Sequence, residues 1–354
     1  MKNRLFIFIL ALTLFSGCTE DLQNVQVEIN NPDEKLDFRG PNQWLGFYKG
    51  ATNNRVYFAR SSNGTNWTEF GDLANGALTD RTPSGVLFGS KVFVFYRGNS
   101  TGRLWMSSQN ASTIGSGGTW VQTPDVGGVT TLGSGPSAVV FNGEIFVFTT
   151  GGGQFRYFRS TNGVNFTGPF TVVNVDGAPI ASVSVLEVAP VVHNGRLFIF
   201  SLETFGNWIR AYSTTTGNLS DWHSDAGTFV GDRSSTGMSA VSTGSEIILT
   251  FSGLTSRRLY EKRATSSNGT GGLNWNSSAS QIGAWTTDRP GIAISNTGKL
   301  VVLFKDGSGT GNNYVRGFQA PTPSTAWSPI PWASSGSGYF GRTSHGVSTV
   351  FTGF

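Results

Sequence analysis

Cysteine is almost absent from this chain, because Cys18 is the only one among 354 residues. Disulfide bonds within the chain therefore cannot hold a fold together, and packing must stabilise it. Histidine is also scarce, and His193, His223 and His345 lack the paired spacing that is typical of a metal site. We expect no metal and no other cofactor.

Charged residues are few as well, at 13% of the chain. Without Lys2 and Arg4 of the N-terminal segment, 23 basic residues face 21 acidic ones, a net charge of +2. This near-balance gives no reason to expect nucleic acid or a broad anionic surface as a partner. Glycine is abundant instead, at 48 residues, as is typical of a turn-rich β-protein.

Amphipathic helical patterns of useful length are missing beyond residue 40. The chain has instead short alternating runs of β-branched and aromatic residues, bounded by glycine, asparagine and serine. Examples are 91–96, 144–148 and 196–200. About four such runs fall within each fifty residues, which is the content of one β-propeller blade. The sequence therefore predicts an all-β protein.

A short polar turn that ends in an aromatic residue recurs six times. The fullest copies are Ser61–Trp67 and Ser160–Phe166. The spacings between successive aromatic residues are 53, 46, 56, 53 and 52 residues, a period that indicates a propeller or a solenoid. The six aromatic residues are Trp67, Trp120, Phe166, Trp222, Trp275 and Trp327.

The two ends of the chain predict that the propeller closes into a ring. Residues 44–48 have the pattern of a blade's second strand with no inner strand before it. Residues 342–347 repeat the inner-strand pattern of residues 81–86. The C-terminus is therefore expected to supply the inner strand of the first blade, which leaves no open sheet edge. We predict a six-bladed propeller of four-stranded antiparallel blades over residues 41–354.

Residues 1–17 have the pattern of a secretory signal peptide, with a basic start and an apolar run over 5–15 that is too short for a membrane span. Small residues directly before Cys18 resemble the lipobox of bacterial lipoproteins, in which that cysteine is lipidated. Residues 18–40 are polar and acidic and would form a tether. The lipobox resemblance implies an outer-membrane lipoprotein held in the membrane by its lipid alone, with a plain signal peptide as the alternative. The acidic residues behind Cys18 resemble the surface-export signals of some Gram-negative lipoproteins and imply exposure on the cell surface, with the periplasmic face as the alternative.

The aromatic turns resemble the Asp-box, or bacterial neuraminidase repeat, of sialidase-like propellers. Asn63, Asn162 and Asn268 stand where that box usually has aspartate, and asparagine also supports an Asx-turn and left-handed backbone. In that family the box lies on the outer turn between a blade's last two strands, and its aromatic residue packs between blades. The resemblance therefore implies a fold, and we assign these turns no chemistry.

Arginines at the starts of inner strands form a second repeat. Arg81, Arg233 and Arg289 each follow an aspartate, and Arg342 takes the corresponding place in the closing blade. Four guanidiniums could converge on one channel mouth and bind a carboxylate or sulfate through their planar forks of donors. Sialidases bind a sugar carboxylate with three arginines, so the resemblance implies an acidic sugar. The alternative is that each Asp-Arg pair is a local ion pair bracing a turn.

The resemblance also implies a tyrosine nucleophile, a glutamate that activates it, and an acid/base aspartate. Tyr339 is the candidate for the nucleophile and Glu187 for the glutamate, and no aspartate suits the third role. We therefore expect glycan binding rather than cleavage, with an exo-acting glycoside hydrolase of sialidase type as the alternative. His345 beside Arg342 would instead suit the base of a polysaccharide lyase.

A third alternative is an envelope scaffold that contacts other proteins. It predicts that each arginine is neutralised by its own aspartate, whereas a lectin needs converging arginines and an aromatic platform for a sugar ring. The aromatic residues considered for that platform are Trp44, Trp208, Trp285 and Trp332. Sequence alone names neither the sugar nor a protein partner.

Overall fold

The computed structural model describes the chain from residue 42 to residue 353 with several gaps. The described residues are 42–73, 76–128, 130–173, 180, 186–203, 205–218, 221–266, 272–308, 313–331 and 341–353, with only the backbone for 224–231. The predicted signal peptide, Cys18 and the tether lie outside these ranges, as do Asn268, Trp332 and Tyr339. Within the ranges, no helix is long and apolar enough to cross a bilayer.

Strands dominate these residues, and the one helix among them is a short 3-10 turn at Ala111–Thr113. The strands are β1 (Trp44–Gly50), β2 (Val56–Ser61), β3 (Thr68–Asp72), β4 (Ser84–Phe88), β5 (Lys91–Arg97), β6 (Leu104–Asn110), β7 (Val121–Thr123), β8 (Ser137–Phe141), β9 (Glu144–Gly151), β10 (Gln154–Ser160), β11 (Thr167–Thr171), β12 (Ala189–His193), β13 (Arg196–Leu202), β14 (Trp208–Thr214), β15 (His223–Ser242), β16 (Ile247–Gly253), β17 (Arg258–Ser266), β18 (Leu273–Trp275), β19 (Ser280–Trp285), β20 (Gly291–Ile294), β21 (Leu300–Lys305), β22 (Val315–Ala320), β23 (Ser328–Pro329) and β24 (Thr343–Phe351).

The strands pair into antiparallel sheets of four. Three sheets follow the chain directly, as β4 to β7, β8 to β11 and β20 to β23. A larger sheet runs from β12 to β18, with β19 also paired to β17, and the long strand β15 lies at its middle. The prediction of an all-β protein with four-stranded antiparallel sheets is confirmed.

The last sheet joins the two ends of the described chain. Its order is β24-β1-β2-β3, so the C-terminal strand pairs with the first one. Trp44 lies opposite Phe351 and Tyr48 lies opposite Val347 in this antiparallel ladder. We call the β24–β1 ladder the seam.

The core lies between neighbouring sheets, because the second strand of each sheet is buried on both faces. In β1 and β16 every residue is buried, and in β5, β9, β13 and β21 all but the terminal residues are. The expectation of alternation in 91–96, 144–148 and 196–200 was therefore wrong, because a strand buried on both faces favours a continuous apolar run.

Aromatic residues of the repeated turns connect one sheet to the preceding one. Trp120 meets Phe47 edge-on with ring centroids 5.8 Å apart, and Trp222 meets Phe148 at the same distance. Phe166 contacts Phe95, and Trp275 contacts Phe200, in the same T-shaped manner. Each pair of this kind adds about 0.5–1.5 kcal/mol beyond its buried area. Three of these pairs join neighbouring sheets, and Trp275 and Phe200 join the two halves of the larger sheet. The expected packing is thus observed for these four residues.

The polar residues of the turns bind the turn backbone. Asn63 Oδ1 accepts hydrogen bonds from the amides of Thr65 and Asn66 at 2.9 and 2.8 Å, and Ser61 Oγ accepts one from Gly64 at 2.9 Å. The turn at 160–166 repeats all three bonds. The polar groups of these side chains are hydrogen-bonded within the turn, which agrees with assigning the turns no chemistry.

Candidate functional site

The predicted arginines lie at the end of the sheets that is opposite the aromatic turns. Isolated bridges join the segments leading into inner strands to the loops between second and third strands, as in Thr79 with Gly98 and Thr286 with Asp306. The aromatic turns instead follow the far ends of the third strands. We call the end that carries the bridges the upper face.

The aspartates of the three Asp-Arg pairs each bind a cation other than the neighbouring arginine. Asp80 pairs with Arg97 at the end of β5. Asp288 and Asp232 accept hydrogen bonds from Lys305 and Lys262 at 2.8 and 2.6 Å. In these three described pairs the aspartate therefore does not form the local ion pair with the neighbouring arginine that the scaffold alternative predicts.

Arg81 belongs to a group of basic residues from three neighbouring sheets. Lys49 lies near the end of β1, Lys305 at the end of β21 and His345 near the start of β24, while Arg81 precedes β4. Lys49 Nζ donates to Ser344 Oγ at 2.7 Å, and Lys305 Nζ donates to the Ser344 carbonyl at 3.2 Å. We call Lys49, Arg81, Lys305 and His345 the basic cluster.

His345 is a neutral base within this cluster. Burial lowers its pKa, the positive charges of Lys49, Arg81 and Lys305 lower it further, and Asp288 opposes them. Its Nδ1 lies 3.2 Å from Ser344 Oγ. On acidification this neutral imidazole gains a proton and adds a positive charge to the cluster.

Positive charge exceeds negative charge here. Lys49 is only 6% exposed, and burial lowers its pKa, with opposing contributions from nearby carboxylates. Among the described residues Arg81 has no carboxylate partner, and its buried Nε has no hydrogen-bond acceptor. His345 is neutral and adds no charge. The cluster and its partners contain two carboxylates, Asp80 and Asp288, and four cations, Lys49, Arg81, Arg97 and Lys305. Two positive charges are therefore in excess. An anion would offset that excess.

Arg289 lies elsewhere, inside the wall formed by the inner strands. It is 6% exposed, and its Nη1 donates to Ser137 Oγ at 2.7 Å and to the Pro136 carbonyl at 3.4 Å. Burial lowers its pKa, and the negative charge of Glu187 raises it. Its hydrogen bonds connect the start of β20 to the start of β8.

Glu187 is buried against two glycines at the starts of inner strands. A Cβ at Gly135 would lie 2.8 Å from Glu187 Oε1, and one at Gly237 would lie 3.1 Å from Oε2. The carboxylate thus occupies space that glycine leaves free and faces the charge of Arg289. Its proposed partner, Tyr339, lies outside the described residues, so the sialidase-type pair stays a prediction.

Arg233 and Arg342 each lie against an aromatic ring. The guanidinium carbon of Arg233 lies 3.9 Å from the ring centroid of Trp208, and that of Arg342 lies 5.1 Å from the ring of Tyr314. The four predicted arginines thus occupy three kinds of environment: the basic cluster, the inner wall and a set of aromatic stacks.

The residues considered for an aromatic platform also differ in their exposure. Trp44 is 2% exposed and packs on Phe351 at 4.8 Å, so the expectation that it is available to a sugar ring was wrong. Its place in a second strand buries both of its faces. Trp285 is 45% exposed on the upper face, where it remains accessible.

Sequence reasoning missed Lys49 and Lys305. A signal was present, because several second strands reach their upper end as an aromatic residue followed by a basic one: Tyr48-Lys49, Tyr96-Arg97 and Phe304-Lys305. A cation that recurs at this strand position lies at the same end of each blade that carries it. Among the described residues, no group of three or more histidine, cysteine, aspartate or glutamate side chains could hold a metal ion.

The arrangement of the sheets defines the class of protein as a β-propeller, and solved structures agree. No family model and no curated protein matches the sequence. A lectin from Aleuria aurantia in complex with α-methyl-L-fucoside matches with a TM-score of 0.56 and 15% identity, over 84% of this chain and 98% of the lectin. The BP39L lectin from Burkholderia pseudomallei matches with a TM-score of 0.56 and 13% identity, over 84% of this chain and 97% of the lectin.

A Hadza microbial sialidase also matches, with a TM-score of 0.54 and 11% identity, over 75% of this chain and 61% of the sialidase. Identities this low show the fold alone. The chain therefore shares the β-propeller fold of lectins and sialidases.

Proposed function

We propose that this protein is a six-bladed, sialidase-like propeller that binds an acidic glycan, with the acidic group held by the basic cluster. The observation that carries the proposal is the excess of two positive charges around Lys49 and Arg81. Buried cations without a carboxylate partner are costly to the fold, so they are expected where a ligand supplies the partner.

The six-blade count is supported by the way the larger sheet divides. Its register shifts between Ser234 and Met238 within β15. Before this point β15 pairs with β14, and after it β15 pairs with β16. Two four-stranded groups on either side of the shift, added to the other four sheets, give six blades. The seam supports closure of the ring.

The chemistry of the cluster favours an oxyanion. Arg81 offers a planar fork of donors, and Lys49 offers a compact point charge on a stem that the fold already buries. A carboxylate of a uronic or sialic acid and a sulfate ester share this requirement. The lectin and sialidase folds among the solved structures are consistent with a sugar as the carrier of the anion.

We also propose that Cys18 carries a lipid that anchors the propeller at the outer membrane, on the cell surface. The support is the sequence pattern of residues 1–17 and the acidic tether over 18–40. Metabolic labelling with a clickable palmitate should mark the wild type and not Cys18→Ala. Protease added to intact cells should then digest the propeller.

A glycan array tests the binding proposal. The purified full-length protein should bind sialylated, uronic or sulfated glycans, and Arg81→Ala and Lys49→Met should each lose about 10-fold or more in affinity, because a hydrogen bond to a charged group contributes about 1.5–3 kcal/mol. Arg103→Ala is the matched control, since it removes one arginine of the upper face that already pairs with Asp125. Absence of acidic-glycan binding, or equal loss in the control, would refute the proposal.

A further inference from the structure

One position recurs along the segments that lead into the inner strands. Three serines mark the register, because the hydroxyls of Ser84, Ser239 and Ser348 each accept a hydrogen bond from a backbone amide of the next inner strand, at 2.9, 3.4 and 3.0 Å. The first residues of β8, β12 and β20 take the same place in their sheets. We call the residues two places earlier the channel layer: Thr82, Gly135, Glu187, Gly237, Arg289 and Gly346.

The three glycines of the channel layer leave room for the side chains between them. A Cβ at Gly135 would lie 2.8 Å from Glu187 Oε1, and a Cβ at Gly237 would lie 3.1 Å from Glu187 Oε2. Gly135 leads into the inner strand before that of Glu187, and Gly237 belongs to the one after it. A carboxylate that reaches the inner strands on both sides of its own lies on the inside of the ring.

Arg289 crosses the ring at this level. It lies just before β20, and its Nη1 donates to Ser137 Oγ at the start of β8 at 2.7 Å. In the proposed six-bladed ring, β20 and β8 belong to opposite blades, so the side chain spans the channel. The negative charge of Glu187 opposes the charge of Arg289. The layer thus holds one charge of each sign, and a bound group need not be charged.

The Glu187 carboxylate lacks a hydrogen-bond donor. Among the described residues, neither of its oxygens accepts a hydrogen bond and no cation forms an ion pair with it. The residue is 9% exposed, and its oxygens are not among the fully buried polar atoms without a partner, whereas Arg289 Nε is. These oxygens therefore face open space inside the ring. A carboxylate that burial has deprived of water needs donors in that space.

We propose that the channel layer is a hydroxyl-binding subsite, in which Glu187 accepts hydrogen bonds from neighbouring hydroxyls of a sugar. This inference rests on the proposed function, because the acidic group of the same sugar would lie at the basic cluster. Thr82 directly follows Arg81 of that cluster. Gly346 likewise follows His345. One residue of extended chain rises about 3.3 Å, so a single sugar unit can reach both levels.

The subsite narrows the ligand class to a polyhydroxylated acid. A simple organic anion would use the basic cluster and leave Glu187 without donors. A uronic or sialic acid carries hydroxyls on the ring that bears its carboxylate, and two of them can donate to the two oxygens of Glu187. Glu187 acts here by binding, which requires neither Tyr339 nor cleavage of a glycosidic bond.

Titration calorimetry with small acids tests the subsite. The hydroxylated probes are the methyl glycosides of glucuronic, galacturonic and N-acetylneuraminic acid, and tetrahydropyran-2-carboxylate is the matched acid without hydroxyls. At least one hydroxylated acid should bind the full-length protein about 10-fold or more tighter than the bare acid, since hydrogen bonds to a charged acceptor are strong. Glu187→Gln should remove that preference without weakening the binding of tetrahydropyran-2-carboxylate.

Glu261→Gln is the matched control, because Glu261 is buried to the same degree and already pairs with Arg263 outside the layer. It should keep the preference for hydroxylated acids. Glu187→Asp keeps the charge but shortens the side chain, and it should lose the preference too. Circular dichroism melts verify that each variant folds. A preference that survives in Glu187→Gln would mean that water alone fills the channel layer, and it would overturn the inference.

The inference and the proposed function fail separately. Acid binding that Arg81→Ala abolishes, with a hydroxyl preference that does not depend on Glu187, would overturn the subsite alone. If no acid binds, the proposed function fails, and methyl glucoside and methyl galactoside test the subsite in saturation-transfer NMR. Binding of a neutral glycoside that Glu187→Gln abolishes would support the subsite, and binding of no probe at all would overturn it.

Discussion

Replacing Lys49 by methionine should make the protein more stable and less able to bind. Lys49 is buried and its amine donates to one hydroxyl, that of Ser344. A hydroxyl does not restore the hydration that a buried cation loses. Methionine keeps most of the stem's volume without the charge. We expect the free energy of unfolding to rise by about 1 kcal/mol, within the range seen for removal of buried charge, and Tm to rise by about 2 °C.

The pH dependence of this gain has a definite sign. Burial lowers the pKa of Lys49 in the folded protein, so the unfolded chain holds this proton more tightly. Wild-type stability therefore increases as pH rises through the interval between the lowered pKa and the ordinary pKa of lysine. The stability advantage of Lys49→Met should shrink over that interval.

Lys262→Met is the matched comparison and should change stability in the opposite direction. Lys262 is equally buried, and its Nζ donates to the Asp232 carboxylate at 2.6 Å. Its removal leaves that carboxylate unpaired, which should cost about 1–3 kcal/mol. Urea denaturation of both variants at pH 7 measures the two changes. A Lys49→Met protein that melts several degrees below wild type would show that Lys49 braces the seam, and the reasoning would be refuted.

Other predictions follow from the same contacts. Binding of acidic glycans should strengthen as pH falls from 7 to 5, because His345 with its lowered pKa gains a proton and a positive charge only on acidification; His345→Asn should flatten that profile in titration calorimetry. Trp222→Ala should lower the free energy of unfolding by about 3–5 kcal/mol in urea, since the side chain is fully buried against Phe148. Asn63→Ala should cost about 1–2 kcal/mol through two lost backbone hydrogen bonds. Asn63→Asp should retain stability, and an equal loss in both variants would contradict the assigned turn.

The fold could be predicted from sequence because its signals are local and repeated. Apolar second strands and aromatic turns recur every fifty residues or so, and each recurrence adds support to the same interpretation. The exposure of Trp44 was misjudged because the residue that covers it lies far along the chain. Its strand begins the chain's first sheet, and only the pairing with β24 reveals that it is covered by Phe351.

The site was harder to predict because its members are distant in sequence. Lys49 and Ser344 are 295 residues apart and meet only when the seam forms. The Asp-Arg repeats suggested pairing between neighbours, yet the two side chains of a pair have different partners. Asp80 and Asp288 reach the ends of second strands, while Arg81 and Arg289 turn to separate environments.

The seam places part of the basic cluster at the junction of the first and last described strands. Lys49 belongs to β1, whereas Ser344 and His345 belong to β24. A chain cut short before β24 has neither the inner strand of that blade nor the residues that complete the basic cluster. If the basic cluster holds an anion as proposed, β24 must be in place before the protein can bind, and binding then reports that the seam has formed.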